Sequence, residues 1–222
     1  MQRATASVYV DGFNLYRRAL ANGPHKWLDL QALAENLLHD HDIALIRYFT
    51  AHLKPQRHDP QAPQRQQIYL RALRTNPRIH VHLGHFRSDP RDMPLHPLRY
   101  DDEGKPVTIR VRKTEEKGSD VNLATHLLLD AFRGLADTYV VVSNDSDLAE
   151  PMRVVRDELG FTMGLVTPAG QPSKALLATN PQLIRQVREG VLAASQFPAV
   201  LSDGNGSFRR PSGWGQSRGP GD

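Results

Sequence analysis

Tyr139-Val140-Val141-Val142-Ser143-Asn144-Asp145-Ser146-Asp147-Leu148 is the stretch on which the fold turns. Its first part is a continuous apolar run without polar alternation. That is the pattern of a strand buried on both faces, in a parallel sheet covered by helices. The run breaks into small and acidic residues, and a helical pattern resumes at Leu148 and stops at Gly160. Strand, turn and helix follow one another within a short span, and Phe161–Val166 reads as the next strand.

Working outward, the same unit recurs. Ala6–Val10 reads as a buried strand ending at Asp11-Gly12, followed by a short helix from about Asn14 to Ala21. Asp29 is placed to cap a helix running through His39. Ile43–Thr50 and Ile79–Leu83 are further strands, separated by a loop at 54–64 and a helix near Gln64–Thr75. Leu98-Arg99-Tyr100 and Val107–Lys113 flank Asp101-Asp102-Glu103-Gly104, which predicts an inserted β-hairpin. Asp120–Phe132 reads as a helix, and a last helix is expected over Pro181–Ala194. Strands alternating with helices predict an α/β fold, with a mainly parallel central sheet between two helical layers.

The 222 residues suit one domain with a tail. The domain is expected over 1–194 and the tail, rich in Gly, Ser, Pro and Arg, over 195–222; that composition predicts disorder. Its Phe208, Arg209, Arg210, Trp214 and Arg218 resemble loose single-strand-binding segments, with a plain disordered terminus as the alternative. The 28 Lys+Arg against 24 Asp+Glu give +4, mostly from arginine, which suits a phosphate-rich partner. With no cysteine there is no disulfide, thiolate zinc site or cysteine nucleophile. No apolar run approaches a membrane span, and the first strand begins too early for an ordinary signal peptide. A cytoplasmic location is the expectation.

Acidic residues fall at three predicted strand-to-helix junctions. Asp11 follows the first strand, Asp120 opens a helix, and Asp145 and Asp147 follow the most apolar strand. In an open parallel sheet these junctions share one edge, where ligands bind at the switch in strand order. Carboxylates gathered there repel one another and call for a cation; an all-oxygen set suits Mg²⁺ or Mn²⁺. Each member has a plainer reading. Asp147 with Glu150 matches a capping pattern, Asp120 after Ser119 is a credible helix cap, and Asp11-Gly12 reads as a turn. The bare pattern also leaves phosphatases and receiver-type domains open.

Asp11-Gly12-Phe13-Asn14-Leu15, Glu116-Lys117-Gly118-Ser119-Asp120 and Ser143-Asn144-Asp145-Ser146-Asp147-Leu148, in that order and spacing, resemble the NYN domain of the LabA-like group. That group lies in the PIN-like nuclease superfamily. The resemblance covers roughly residues 5–190. It implies a PIN-like three-layer α/β/α fold and metal-dependent ribonuclease activity on single-stranded or structured RNA. Asp11, Asp120, Asp145 and Asp147 would form the metal site, with Asn14 as a polar catalytic partner. Asp11 and Asp145 would be the principal ligands. Many relatives carry a further Asp where His126 stands, about one and two-thirds helical turns beyond Asp120. That departure keeps a second reading in play, a catalytically weak RNA- or protein-binding regulator.

Lys117 is placed to reach a substrate phosphate, and Ser143 to contact substrate or to support the aspartates. In Val107–Lys113, alternation puts Thr108, Arg110 and Arg112 on one face, fit either for a phosphate backbone or for an ordinary charged edge. His80 and His82 share a strand face, where satisfied or exposed histidines are the default over zinc. A haloacid-dehalogenase phosphatase wants a second Asp where Phe13 stands, and no nucleophile-elbow serine is found. Self-association into a homodimer is left open.

Overall fold

The computed structural model describes residues 3–168 and 170–214. The chain runs β1 (Ala4–Asp11), α1 (Gly12–Leu15) with a π-helical turn at Tyr16–Leu20, and α2 (Leu30–Leu37). β2 (His41–Ala51), α3 (Ala62–Leu73), β3 (Ile79–Pro94), β4 (Thr108–Lys117) and α4 (Ser119–Phe132) follow. β5 (Thr138–Val142) leads through a 3₁₀ turn at Ser146–Leu148 into α5 (Ala149–Arg153), which runs on as a π-helical turn at Val154–Glu158. Then come β6 (Thr162–Thr167), α6 (Lys174–Ala178), β7 (Leu183–Gln186) and α7 (Glu189–Ala194). A hairpin of β8 (Val200–Asp203) and β9 (Gly206–Arg209) closes the described chain.

The seven-stranded sheet has the order β4-β3-β2-β1-β5-β6-β7 and is parallel except where β4 meets β3. Strand order switches between β1 and β5, so the ends of those two strands are where a ligand crevice belongs. Alternation along both strands feeds two cores. Val8, Val10, Val140 and Val142 pack with Leu30, Leu33, Leu70 and Leu73 on one face. Tyr9, Tyr139 and Val141 pack with Leu123, Leu127, Met152 and Leu165 on the other. The three-layer α/β/α expectation is the observed architecture.

Three local expectations are corrected. The inserted hairpin is built from a continuation of β3 itself, which pairs with β4 from His85↔Lys117 out to Pro94↔Thr108. Leu98–Tyr100 is not its outer strand; only Tyr100 bridges to Pro106. Pro94 and Pro97 lack the N–H that a ladder would need in this stretch. The helix expected over Pro181–Ala194 is shortened to Glu189–Ala194, because Leu183–Gln186 pair with the open edge of β6. Here sheet pairing overrides a local helical pattern.

The tail expected from residue 195 is folded as far as Trp214. Phe197 N–H donates to Trp27 O at 3.0 Å, and Trp27 Nε1 donates to Pro198 O at 2.8 Å. Arg71 makes two 2.7 Å bonds to Asp203 and lies 4.2 Å over the Phe208 ring. Apolar side chains at 197, 201, 208 and 214, which pack on the core, supply the burial that composition alone hides. Phe208 and Trp214 are thus occupied within the fold; Arg218 lies outside the described residues.

One buried network ties α4 to the sheet. Asp130 is fully buried and accepts from Arg47 Nε (2.6 Å), Arg47 Nη2 (2.9 Å) and the Tyr9 hydroxyl (2.8 Å). Arg47 Nη1 also lies 3.1 Å from His82 Nε2. Removing one member strands a charge in the interior. Asp130→Ala is therefore expected to cost about 3–5 kcal/mol in urea unfolding. A loss below about 1 kcal/mol would show that water compensates Arg47 and that the network contributes little.

Candidate functional site

β1 and β5 run side by side, Val10 opposite Val142, and both stop at the same edge of the sheet. Beyond Val142, Ser143 is fully buried; its hydroxyl donates to Asp11 Oδ2 at 2.8 Å and accepts from Asp145 N–H at 3.1 Å. Asp11 itself caps α1, its Oδ1 accepting from Asn14 N–H at 3.0 Å. Asn14 Oδ1 in turn accepts from Asn144 N–H at 3.1 Å, stitching the two strand ends a second time. Asp145 caps the 3₁₀ turn by accepting from Asp147 N–H. Gly12 is required here for close approach: a Cβ would sit 2.6 Å from Phe49 O and from the Tyr48 ring. Its backbone is not left-handed, so the expected sharp turn is a crowded seam instead.

Asp120 arrives from the far side. β4 ends at Lys117, Gly118 takes a left-handed φ of 97°, and α4 starts at once. Glu116 reaches over that start, accepting from Ser119 N–H (3.1 Å) and Ser119 Oγ (2.5 Å). Glu116 thus supplies the capping bonds, so Asp120 is not the cap and its carboxylate turns to the cleft. Asp11, Asp120 and Asp145 each place an oxygen within 4.8 Å of the others. These three line a cleft of about 540 Å³ with Phe13, Asn14 and Glu116.

The electrostatics of the cluster suit a positively charged ligand. Burial pushes the Asp11 carboxyl above its usual range, against its bonds from Asn14 and Ser143, and the nearby Asp145 and Glu116 push further. Asp120 rises to about 6, through desolvation first and then the charges of Asp11, Asp145, Glu116 and Asp147. Among the described residues no ion pair reaches the three aspartates. An all-carboxylate set under mutual repulsion suits a hard divalent cation.

The other expected site residues are distributed differently. Asp147 is exposed and stands outside the triad, on a neighbouring groove with Lys117 and Leu148. Its capping pattern is not used either, since Glu150 pairs with Arg153. Lys117 is exposed and bridges to Glu115 at 3.3 Å. Ser143 cannot touch substrate, being fully buried; its place is to hold Asp11 and Asp145. Arg110 and Arg112 are exposed on β4. His126 lies away from the cleft, its ring 4.0 Å from His82 and 5.9 Å from Phe49. Burial lowers His82 to about 4 and also lowers His126, so both rings are neutral near pH 7. Sequence reasoning had not assigned Glu116, Phe13, Arg17, Arg18 and Phe86 to the cleft they line. Period-two alternation from Ile79 was the available signal for Phe86.

A family model for the NYN domain matches residues 5–186. The chain belongs to the NYN domain family, which lies in the PIN-like nuclease superfamily. It is 29% identical, across 94% of its length and 75% of the relative, to 6-hydroxy-3-succinoylpyridine 3-monooxygenase HspA of Pseudomonas putida. A solved Vibrio parahaemolyticus protein of unknown function superposes with a TM-score of 0.55, at 13% identity. That match covers 85% of this chain and 95% of the other, and it shows the fold alone. The family implies nuclease chemistry in general, and no described helix is long and apolar enough to cross a membrane.

The raised Asp120 carboxyl couples stability to pH. The folded chain holds this proton longer than the unfolded one, so stability falls as pH climbs from about 3.8 to about 6. In EDTA above pH 7, Asp120→Asn should therefore raise Tm. Discounted for the solvent reaching the side chain, the gain is roughly 1 kcal/mol, or about 2–4 °C. Thermal melts across pH should show it vanish near pH 4; a variant less stable at neutral pH would contradict the repulsion.

Proposed function

We propose that this chain is a divalent-metal-dependent ribonuclease that hydrolyses RNA phosphodiester bonds. The observation that carries this reading is the convergence of Asp11, Asp120 and Asp145 at the β1/β5 switch point of an NYN domain. These three residues would hold Mg²⁺ or Mn²⁺. When bound, such a cation supplies Lewis-acid chemistry, offsetting negative charge that grows on the phosphoryl oxygens. Ser143 sets the distance between Asp11 and Asp145 by bonding to both, so their oxygens are placed before any ligand arrives. Asn14 is oriented by its bond from Asn144, and no described group accepts from its side-chain nitrogen. Asn14 lines the cleft, where that N–H would donate to a phosphate oxygen or orient a water. Asp147 would act from the adjoining groove through its charge, and Lys117 through contact with a flanking phosphate.

The test is cleavage of labelled single-stranded RNA with Mg²⁺, with Mn²⁺ or with EDTA. Wild-type protein should cut only with metal, and Asp11→Asn or Asp145→Asn should each lose more than about 100-fold. Ser143→Ala should lose about 10–100-fold, as expected for a residue that orients a ligand. Tight RNA binding without cleavage under any condition would replace this reading with that of a regulatory binding module. Turnover of 6-hydroxy-3-succinoylpyridine with no cleavage would transfer instead the activity in the Pseudomonas relative's name.

A further inference from the structure

The cleft is chemically mixed. Beside the acidic triad, Glu115 and Glu116, it is lined by Phe13, Phe86, Arg17 and Arg18. Phe13 and Phe86 meet edge to face at 5.7 Å, and Arg17 lies 5.9 Å over the Phe13 ring. Both rings are part-exposed rather than sealed in a core. They bring an aromatic surface beside the aspartates from two separate elements, the start of α1 and the outer part of β3.

The β3–β4 arm extends this surface outward. Its register pairs Phe86 with Glu116, Ser88 with Thr114, Pro90 with Arg112 and Asp92 with Arg110. Cross-strand partners share a face and successive pairs alternate, so these residues form one face of the arm. Phe86, Thr114 and Glu116 on that face line the cleft. Arg112 and Arg110 therefore continue the cleft wall, about 7 Å and about 14 Å beyond Thr114 along the strand.

The two faces of the arm treat charge differently. On the alternate face, Arg87 pairs with Asp89 at 2.5 Å, and Glu115, which also borders the cleft, pairs with Lys113 at 2.5 Å and Lys117 at 3.3 Å; Arg91 is the one cation there outside the described ion pairs. On the cleft face, no described ion pair engages Arg110 or Arg112, nor Arg17 or Arg18 at its inner end. An edge strand charged only to prevent aggregation gives no reason for most cations of one face to be paired while both arginines of the other stay unpaired. A polyanion crossing the cleft face supplies that reason.

We propose that the Phe13–Phe86 pair and the Arg110/Arg112 face of the arm form a track for single-stranded nucleic acid leading into the triad. A base next to the reacting phosphate stacks on Phe86, and flanking phosphates follow Arg17, Arg112 and Arg110. Stacking needs an unpaired base face, so the track selects single strands over duplex. This rests on reading the cleft as a nucleic-acid site and adds how the strand is chosen and which way it leaves.

The experiment measures binding of a fluorescein-labelled oligouridylate to the full chain carrying Asp145→Asn, across a salt series, beside the same strand annealed to oligoadenylate. Circular dichroism confirms each variant's fold. The single strand should bind tighter than the duplex, and Phe86→Leu should weaken it by roughly 5-fold or more. Arg110→Gln with Arg112→Gln should lower the salt slope by about 1.4, at about 0.7 per phosphate contact. Arg87→Gln with Lys113→Gln, on the other face, should leave the slope unchanged. Equal binding of duplex, an unaffected Phe86→Leu, or equal slope losses from both faces would each overturn the track. Metal-dependent cleavage by wild type alongside such a result would leave the ribonuclease reading standing. Selective binding that follows these residues, with no cleavage by wild type, would keep the track and remove the ribonuclease reading.

Discussion

Three carboxylates are held against their mutual repulsion at one edge of the sheet, and the local structure is arranged around doing so. The buried Ser143 hydroxyl bonds Asp11 on one strand and the backbone of Asp145 on the next. Asn14 and Asn144 repeat the link. Neither tie could form if β1 and β5 were not adjacent and parallel, ending level with each other. Burial first, and then the charges of the neighbouring carboxylates, push the Asp11 and Asp120 carboxyls above their usual range. Carboxylates gathered in this way cost stability that a bound cation would offset. That is a usual trade at sites whose charge is meant for a ligand.

The rest of the molecule supports this edge from a distance. The Arg47–Asp130–Tyr9 network fixes α4 to β1 and β2, and α4 carries Asp120 at its opposite end. Glu116 bonds the first residue of the same helix, setting where it starts. His82, one of the two strand histidines weighed for zinc, is spent on packing, stacked on Phe49 at 4.9 Å with His126 beside it. The β3–β4 arm brings Phe86 to the cleft beside Phe13, and the Tyr16–Leu20 turn adds Arg17 and Arg18 to a lining that is otherwise acidic.

Much of the scaffold was legible in sequence because burial on both faces leaves an unmistakable mark. Val140, Val141 and Val142 could only be a central strand, and Asp11 and Asp145 stood out because polar residues that interrupt such strands sit at their ends. Local signals failed where a distant partner decided the outcome. Leu183–Gln186 carry a helical pattern and become a strand because β6 offers an open edge. Phe197 and Trp214 sit in a stretch whose Gly and Ser content predicts disorder, yet Trp27 and Tyr69 give them surfaces to cover.

The chain alone therefore determined the class of fold, the central strands and most of the helices between them, and the acidic residues at the strand-to-helix junctions. These follow from periodicity and from short-range turn chemistry, which act between neighbours in sequence. Tertiary structure decided which aspartates meet. Asp120 joins Asp11 and Asp145 because β4 and α4 deliver it across the cleft, while Asp147, only two residues from Asp145, is turned away by the 3₁₀ turn. It also decided that Phe86 and Arg112 share a face with the site. That is a matter of antiparallel register between segments that are about two dozen residues apart in sequence, which no local pattern specifies.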